Sequence, residues 1–386
     1  MSARTNGPEP APLFRSYFLG GFECSTHRTR AGKRLDLIAA TGHDRLVRAD
    51  YERLQAAGIR AAREGLRWHL IETSAGRYDF SSVLPMLRAA RETGVQVIWD
   101  LCHYGWPDGL DVFSPEFARR FAGLARAFTA LLADESDDLP YLAPVNEISF
   151  LAWAGGGVAM LPPFATGRGD ELKKQLVRAT LEGIEAVWSV NPRARIFHID
   201  PMCNVVADPE KPDEGRIAEE YRTSQYEVWD MVSGRLHPEL GGAPKYLDVV
   251  GVNYYIDNQW VYPGDEHSST TIFPSHPYYR PVWDMLREVY ERYGRPLFIA
   301  ETGIEGDARP SWLRSISEEV RAALKEGVPV EGICLYPILN HPGWEDDRYC
   351  RNGLWDYPTE TGEREIYAPM AEELSRQQAL FRQMGH

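Results

Sequence analysis

Short apolar runs recur along the chain, and stretches with helical spacing lie between them. The runs are YFLGGFEC from Tyr17, AAREGLRW from Ala61, VQVIWDL from Val95, YLAPVNE from Tyr141, ARIFHID from Ala194, LDVVGVNYY from Leu247, PLFIAET from Pro296 and GICLYPI from Gly332, eight in all. In the second run only the end looks like a strand. Successive runs are separated by about the length of a strand, a loop and a crossover helix. SPEFARRFAGLARAFTALL predicts a helix with Ser114 as N-cap, Pro115 in the first helical position, and Phe117, Phe121, Leu124 and Phe128 on one face. DRLVRADYERLQAAG and SSVLPMLRAARETG stop at Gly58 and Gly94, as C-terminal caps do, and SWLRSISEEVRAALKEG repeats the pattern late in the chain. Strand-like runs alternating with helices, without a Pro/Gly/Ser linker between halves, predict an α/β protein with a single (β/α)8 TIM barrel. A doubly wound open sheet is the alternative, but no G-x-G-x-x-G follows the first run.

Composition narrows the class. The 386 residues are 44% apolar, ample for one large packed core. The formal charge of −14, without a Lys/Arg run, argues against nucleic acid or an anionic membrane as partner and favours a neutral or cationic one. Residues 1–14 are polar and proline-containing without a secretory apolar core, and are expected to form a disordered lead-in to a domain over 15–386. No run approaches the roughly 18 residues of a membrane span. Cys24, Cys102, Cys203, Cys334 and Cys350 are scattered and odd in number, with no C-x-x-C pair. They suit reduced thiols in a cytoplasm and provide neither a zinc nor a disulfide framework. The oligomeric state is left open.

In such a barrel the C-terminal strand ends ring one cavity, and two of them carry a carboxylate. The fourth run ends on Asn146-Glu147 and the seventh on Glu301, so the two acids are expected to face each other across the mouth. Two carboxylates so placed suit hydrolysis of a glycosidic bond, one protonating the leaving oxygen while the other attacks the anomeric carbon or activates water. Asn146 and aromatic neighbours would help keep one carboxyl neutral. Arg67, at the end of the second run, and Tyr255, at the end of the sixth, are the candidates to keep the other ionised.

From here the chain resembles a known group, the clan A glycoside hydrolases, and among them glycoside hydrolase family 1, the β-glucosidase family. FLGGFECS is similar to that family's opening strand, GLRWHLIE to its arginine-bearing second strand, and LCHYGWPDG to its third-strand segment. VNE matches the acid/base signature, GVNYY the sixth-strand Asn-Tyr-Tyr, IAETG the nucleophile signature and GLWDY the closing segment. The resemblance implies a cofactor-free, metal-free retaining β-glycosidase acting on a small-molecule glycoside, with Glu147 as acid/base and Glu301 as nucleophile. It also implies Asn146 at the sugar 2-hydroxyl, Arg67 and Tyr255 supporting the nucleophile, His103 and Tyr104 lining the sugar subsite, and Asn253 in the sixth-strand motif. An endo-glucanase-like or transglycosylating clan relative, or a catalytically silent sugar-binding barrel, are the alternatives.

Two departures bear on the substrate. Where the family's eighth strand carries a Trp and then a Glu-Trp pair gripping the far hydroxyls, YPILNHPGWEDD has Tyr336 and then Gly343-Trp344; and the opening strand has His27-Arg28 where the family has a glutamine. Trp344 is the best candidate to stack on a sugar face, ahead of Trp106 and Trp153. Glu23 is read equally as a hydroxyl acceptor or as a partner of Arg28. His198 and Asp200 have metal-ligand residue types but no companion cluster, and are read as structural. The acidic WEDD loop with Asp356 lacks an EF-hand pattern and is read as a solvated rim.

Overall fold

In the computed structural model, which describes residues 12–263 and 271–386, eight parallel strands close into a barrel. They are β1 (Phe18–Gly21), β2 (Ala61–Gly65), β3 (Gln96–Cys102), β4 (Tyr141–Val145), β5 (Arg195–Pro201), β6 (Val249–Asn253), β7 (Leu297–Thr302) and β8 (Val330–Leu335). Each pairs with its sequence neighbours and β8 closes on β1, the arrangement expected from the eight apolar runs. The crossovers carry α1 (His43–Ala56), α2 (Leu84–Thr93), α3 (Pro115–Glu135), α4 (Gly169–Trp188), α5 (Gly215–Thr223), α6 (Val282–Tyr293) and α7 (Arg309–Lys325). A last helix, α8 (Ala368–Gln383), packs Phe381 against Tyr17 and Phe18 beside β1.

β2 shows why a barrel strand is hard to recognise. All five residues of AAREG are buried, and successive side chains take opposite faces. Ala61 joins the barrel interior and Ala62 the layer under the helices. Arg63 then points inward, while Glu64 points outward to His43 and Tyr51 of α1. The strand is thus the start of the second run and not its end, where Trp68 opens the helical turn Trp68–Ile71. β1 meets a different constraint. A Cβ at Gly21 would lie 2.1 Å from the Tyr336 ring, so only glycine lets this aromatic, the first residue after β8, cross the barrel there.

The bottom of the barrel is filled by Tyr141, Phe197 and Phe298 around Phe14, whose ring centroid is 5.2 Å from that of Phe298. The expected lead-in over residues 1–14 lies mostly outside the described residues, and its end belongs to the packing. Leu13 and Phe14 are buried, and the Tyr141 hydroxyl donates to the Leu13 carbonyl at 2.9 Å. All five cysteines are buried thiols. Among the described residues no helix is long and apolar enough to cross a membrane.

Candidate active site

Above that apolar floor the interior turns polar. After β4, the Asn146 N–H donates to the Cys102 carbonyl and the Glu147 N–H to the Ile199 carbonyl, both at 3.0 Å, fixing the chain between β3 and β5. Glu147 has φ 45° and Tyr104, after β3, φ 65°. Each is a left-handed conformation that costs a non-glycine residue on the order of 1–3 kcal/mol. The two strained residues meet, for the Tyr104 hydroxyl donates to Oε2 of Glu147, and Asn253 Nδ2 donates to its Oε1 at 2.8 Å.

Glu301 comes from the opposite side. A register irregularity between Ile299 and Glu301 in the pairing of β7 with β6 sets it opposite Asn253, and its carboxyl is buried. Arg63 Nη1 donates to Oε1 at 2.7 Å and the Tyr255 hydroxyl to Oε2 at 2.9 Å.

The guanidinium of Arg63 uses all five of its N–H donors, its remaining acceptors being Asp100 through Nε and Nη2, the Ala300 carbonyl, and Asn146 Oδ1 at 2.6 Å. With its oxygen so occupied, Asn146 donates through Nδ2 to Tyr104 Oη at 3.1 Å and to His103 Nε2 at 3.3 Å. His103 therefore carries its proton on Nδ1, which donates to Asp100 at 2.9 Å. Burial works against the Arg63 charge, but Asp100 and Glu301 more than offset it and hold the guanidinium protonated. Burial and the neighbouring carboxylates raise the Tyr104 and Tyr255 phenols well above their ordinary range, so both remain donors. The two acids thus sit in unlike surroundings, Glu301 against a full cation and Glu147 held by the neutral donors Tyr104 and Asn253.

No protein-family profile matches the chain. It is 27% identical over 320 residues to a β-galactosidase of Sulfolobus acidocaldarius, and the match takes in 73% of this chain and 62% of that one, under two thirds of the relative's length. A Thermotoga maritima β-glucosidase in complex with glucoimidazole superposes with a TM-score of 0.77 at 16% identity, over 95% of this chain and 99% of that one. A family 1 β-glucosidase from Thermotoga maritima gives the same TM-score and identity over 95% and 98%. The AHE enzyme of Alicyclobacillus herbarius gives 0.76 at 16%, over 94% and 98%. The chain has the family 1 β-glucosidase fold.

Within that fold, Arg67 is a correction. It lies beyond the end of β2, where its guanidinium donates to Asp36 at 3.1 Å and to the Ser82 carbonyl at 3.2 Å, and Arg63 takes the place beside Glu301 that was expected of it. Arg63 and Asp100 were not anticipated; the signal available was charge inside two short runs, Arg63 with Glu64 in AAREG and Asp100 in VIWDL.

The far end of the site gathers the remaining candidates. Glu23 does not pair with Arg28, which is held by Asp108 at 2.7 Å. Its Oε1 accepts from the Ser25 N–H at 2.9 Å and from the Ser25 hydroxyl. Burial pushes its carboxyl up, but His103, His341 and the Ser25 bonds outweigh that and leave it below the usual range. Tyr336 lies parallel to His103, with ring centroids 6.0 Å apart, and under the Arg63 guanidinium at 5.1 Å. Trp344 packs edge-on against His27 at 4.9 Å and Tyr104 at 5.6 Å. His27, buried and with no partner for either nitrogen among the described residues, is driven by burial to a pKa of about 4 and is neutral. A Cβ at Gly343 would lie 2.3 Å from Asp346 Oδ1, so a loop carboxylate occupies the space beside the glycine. Trp106 packs edge-on against Phe117 and belongs to the core.

Three buried groups, Cys24, Asp100 and His103, bring potential metal-ligand atoms within 4.8 Å of one another. The carboxylate is already shared by Arg63 and His103, and burial raises the Cys24 thiol well above its ordinary range, which describes a hydrogen-bonded cluster. His198 and Asp200 take structural partners, His198 Nε2 at 2.8 Å from the Tyr246 carbonyl and Asp200 accepting from the Ser149 N–H at 3.0 Å.

Proposed function

We propose that the protein is a retaining β-glycosidase of the family 1 type, hydrolysing a small β-glycoside by double displacement. The observation that carries this reading is the unlike housing of two carboxylates at the ends of β4 and β7. Glu301, oriented by Arg63 and Tyr255, attacks the anomeric carbon as Glu147 protonates the departing oxygen, breaking the glycosidic bond and leaving a glycosyl ester on Glu301. Glu147, now ionised, takes a proton from water, whose oxygen attacks the same carbon and releases Glu301. Arg63 and Asp100 keep their charges throughout, and Tyr104 and Asn253 hold Glu147 in register for both proton transfers. Asn146, His103, Tyr336, Trp344 and Glu23 form the sugar subsite. The similarity to a Sulfolobus β-galactosidase and to Thermotoga β-glucosidases supports the same reading. Five buried thiols suit a reducing cytoplasm.

A 2-deoxy-2-fluoro glycoside with a dinitrophenyl leaving group tests the division of labour. The fluorine slows both steps and the leaving group rescues the first, so peptide mapping is expected to find the sugar on Glu301. Label on Glu147, or steady turnover of the parent glycoside with no adduct, would overturn it.

A further inference from the structure

Glu147 stands in the N-cap position of a four-residue helical turn, Ile148–Leu151, whose first backbone N–H groups have no acceptor within the turn itself. An N-cap residue ordinarily supplies one with its own side chain. Glu147 makes no capping bond, and its carboxyl is held by Tyr104 and Asn253 instead. The acceptor comes from β5. The Ser149 N–H donates to Asp200 Oδ1 at 3.0 Å, and Ser149 Oγ is bonded to Oδ2 at 3.1 Å. One residue earlier on that strand, the Ile199 carbonyl accepts the Glu147 N–H at 3.0 Å, so two consecutive residues of β5 grip the turn.

The rest of Asp200's surroundings give it no other task. Phe197 and Ile199 belong to the barrel interior, which puts Asp200 on the opposite face of β5, below the turn. It is fully buried, and among the described residues the hydrogen bonds of its side chain both go to Ser149. Lys173, which acts on it from α4, is itself bonded to Glu227 at 2.6 Å. Burial of a carboxyl with so few partners is costly, and the segment it secures is the one that carries Glu147 at φ 45°. With the Ser149 N–H left open, Glu147 would be free to leave this left-handed conformation for the extended one usual at an N-cap and to turn its own carboxyl onto that N–H. The acid would then be lost from the barrel mouth.

Resting on the glycosidase reading, we infer that Asp200 is a positioning residue for proton transfer: by capping the turn from the neighbouring strand, it relieves the Glu147 carboxyl of capping and keeps it beside Tyr104 and Asn253. Its effect reaches the substrate only through Glu147.

Two substrates with the same sugar separate this role from general support of the fold. Hexyl β-glucoside needs its leaving oxygen protonated and 2,4-dinitrophenyl β-glucoside does not, and kcat/KM for each reports the first, bond-breaking step. Asp200→Leu, which removes both acceptors at similar volume, is expected to lower kcat/KM for the hexyl glucoside at least about tenfold more than for the dinitrophenyl glucoside. Asp200→Asn, whose amide offers an oxygen to the Ser149 N–H and an N–H to Ser149 Oγ, should bring the ratio of the two back to within about threefold of the parent's. Equal losses on both substrates, or an Asn variant no better than Leu, would assign Asp200 to the fold alone. Should Asp200→Leu fail to fold, Ser149→Ala decides, since it deletes one of the two bonds: a ratio moved by at least about threefold supports the role, and an unmoved ratio ends it. All of these outcomes presuppose a parent that turns over the dinitrophenyl glycoside. A parent that hydrolyses neither its glucoside nor its galactoside sinks the glycosidase reading, and the role of Asp200 with it.

Discussion

Arg63 does what no other side chain in this site can do, because five fixed donors meet five acceptors from three different strand ends. A lysine has three donors on a single atom and cannot span Asp100, Asn146 and Glu301 at once. Arg63→Lys is expected to lower kcat/KM on the order of a hundredfold or more, chiefly through kcat, since the misplaced groups act on the reacting carbon. Arg67→Lys, whose side chain ties Asp36 to the Ser82 carbonyl, should change it by less than about fivefold by the same reckoning. Steady-state kinetics on one aryl glycoside, with melting curves to confirm folding, separates the two; comparable losses would return Arg67 to the site. The contrast also shows what was legible at this scale. Glu147 and Glu301 stood out because each ends an apolar run, whereas Arg63 sits inside a strand, where a charge reads as an interruption until the pleat shows that it faces the cavity.

At the scale of elements, helices were the easier reading. α3 begins after Ser114 with Pro115 and buries Phe117, Phe121, Leu124 and Phe128, as its spacing predicts, because an amphipathic period survives whatever the helix packs on. β2 was misplaced because both of its faces are buried, so its outward Glu64 is as hidden as its inward Arg63. Glu64 belongs to a buried brace in which His43 of α1 contacts Asp50 at 2.8 Å and Glu64 at 2.9 Å, while Arg364 binds Asp50 at 2.7 Å. Burial opposes the imidazolium, but the two carboxylates outweigh it and push His43 up to about 9. The folded state thus holds a proton that the unfolded chain, with a histidine near 6.5, releases earlier. That stabilisation, on the order of 3 kcal/mol, is complete below about pH 6.5 and is lost as pH rises through 9. Asp200 acts in a lower window. Burial raises it to about 7, so folding favours its neutral form and stability falls as pH climbs from about 4 to 7. Melting temperatures measured from pH 4 to 9.5 should decline across both windows. Asp200→Asn should flatten the lower one and His43→Gln the upper, and a variant with the parent's slope in its own window would remove that group from the account.

At the scale of the whole molecule, the count and spacing of the apolar runs were enough to anticipate a closed barrel, since eight strands with crossover helices have few other ways to bury every run. What lies outside the repeat was not legible. The cavity lined by Phe150, Trp153 and Trp260 is built from loops and helix ends after β4, β5 and β6 that meet only once the barrel has closed. The charge balance, in contrast, was readable from the start and bears directly on substrate choice. The chain carries −14, and its site sets Glu23, Glu301 and Asp100 against Arg63, so field and pocket have the same sign. A neutral sugar feels little of this, but on the proposed reading, with Glu23 ionised in the sugar subsite, a uronic acid brings a further carboxylate into a pocket of its own sign. The aryl β-glucuronide is therefore expected to fall at least about a hundredfold below the aryl β-glucoside in kcat/KM at low ionic strength, a gap near 3 kcal/mol. Part of that gap is long-range repulsion, which added salt screens as the Debye length drops from about 30 Å at 0.01 M to a few ångströms near 1 M. The glucuronide's kcat/KM should rise severalfold over that range while the glucoside's stays nearly level. A glucuronide used as well as the glucoside at low salt would mean that a cation faces the far end of the sugar and outweighs Glu23, and the reading of this pocket as acidic would be wrong.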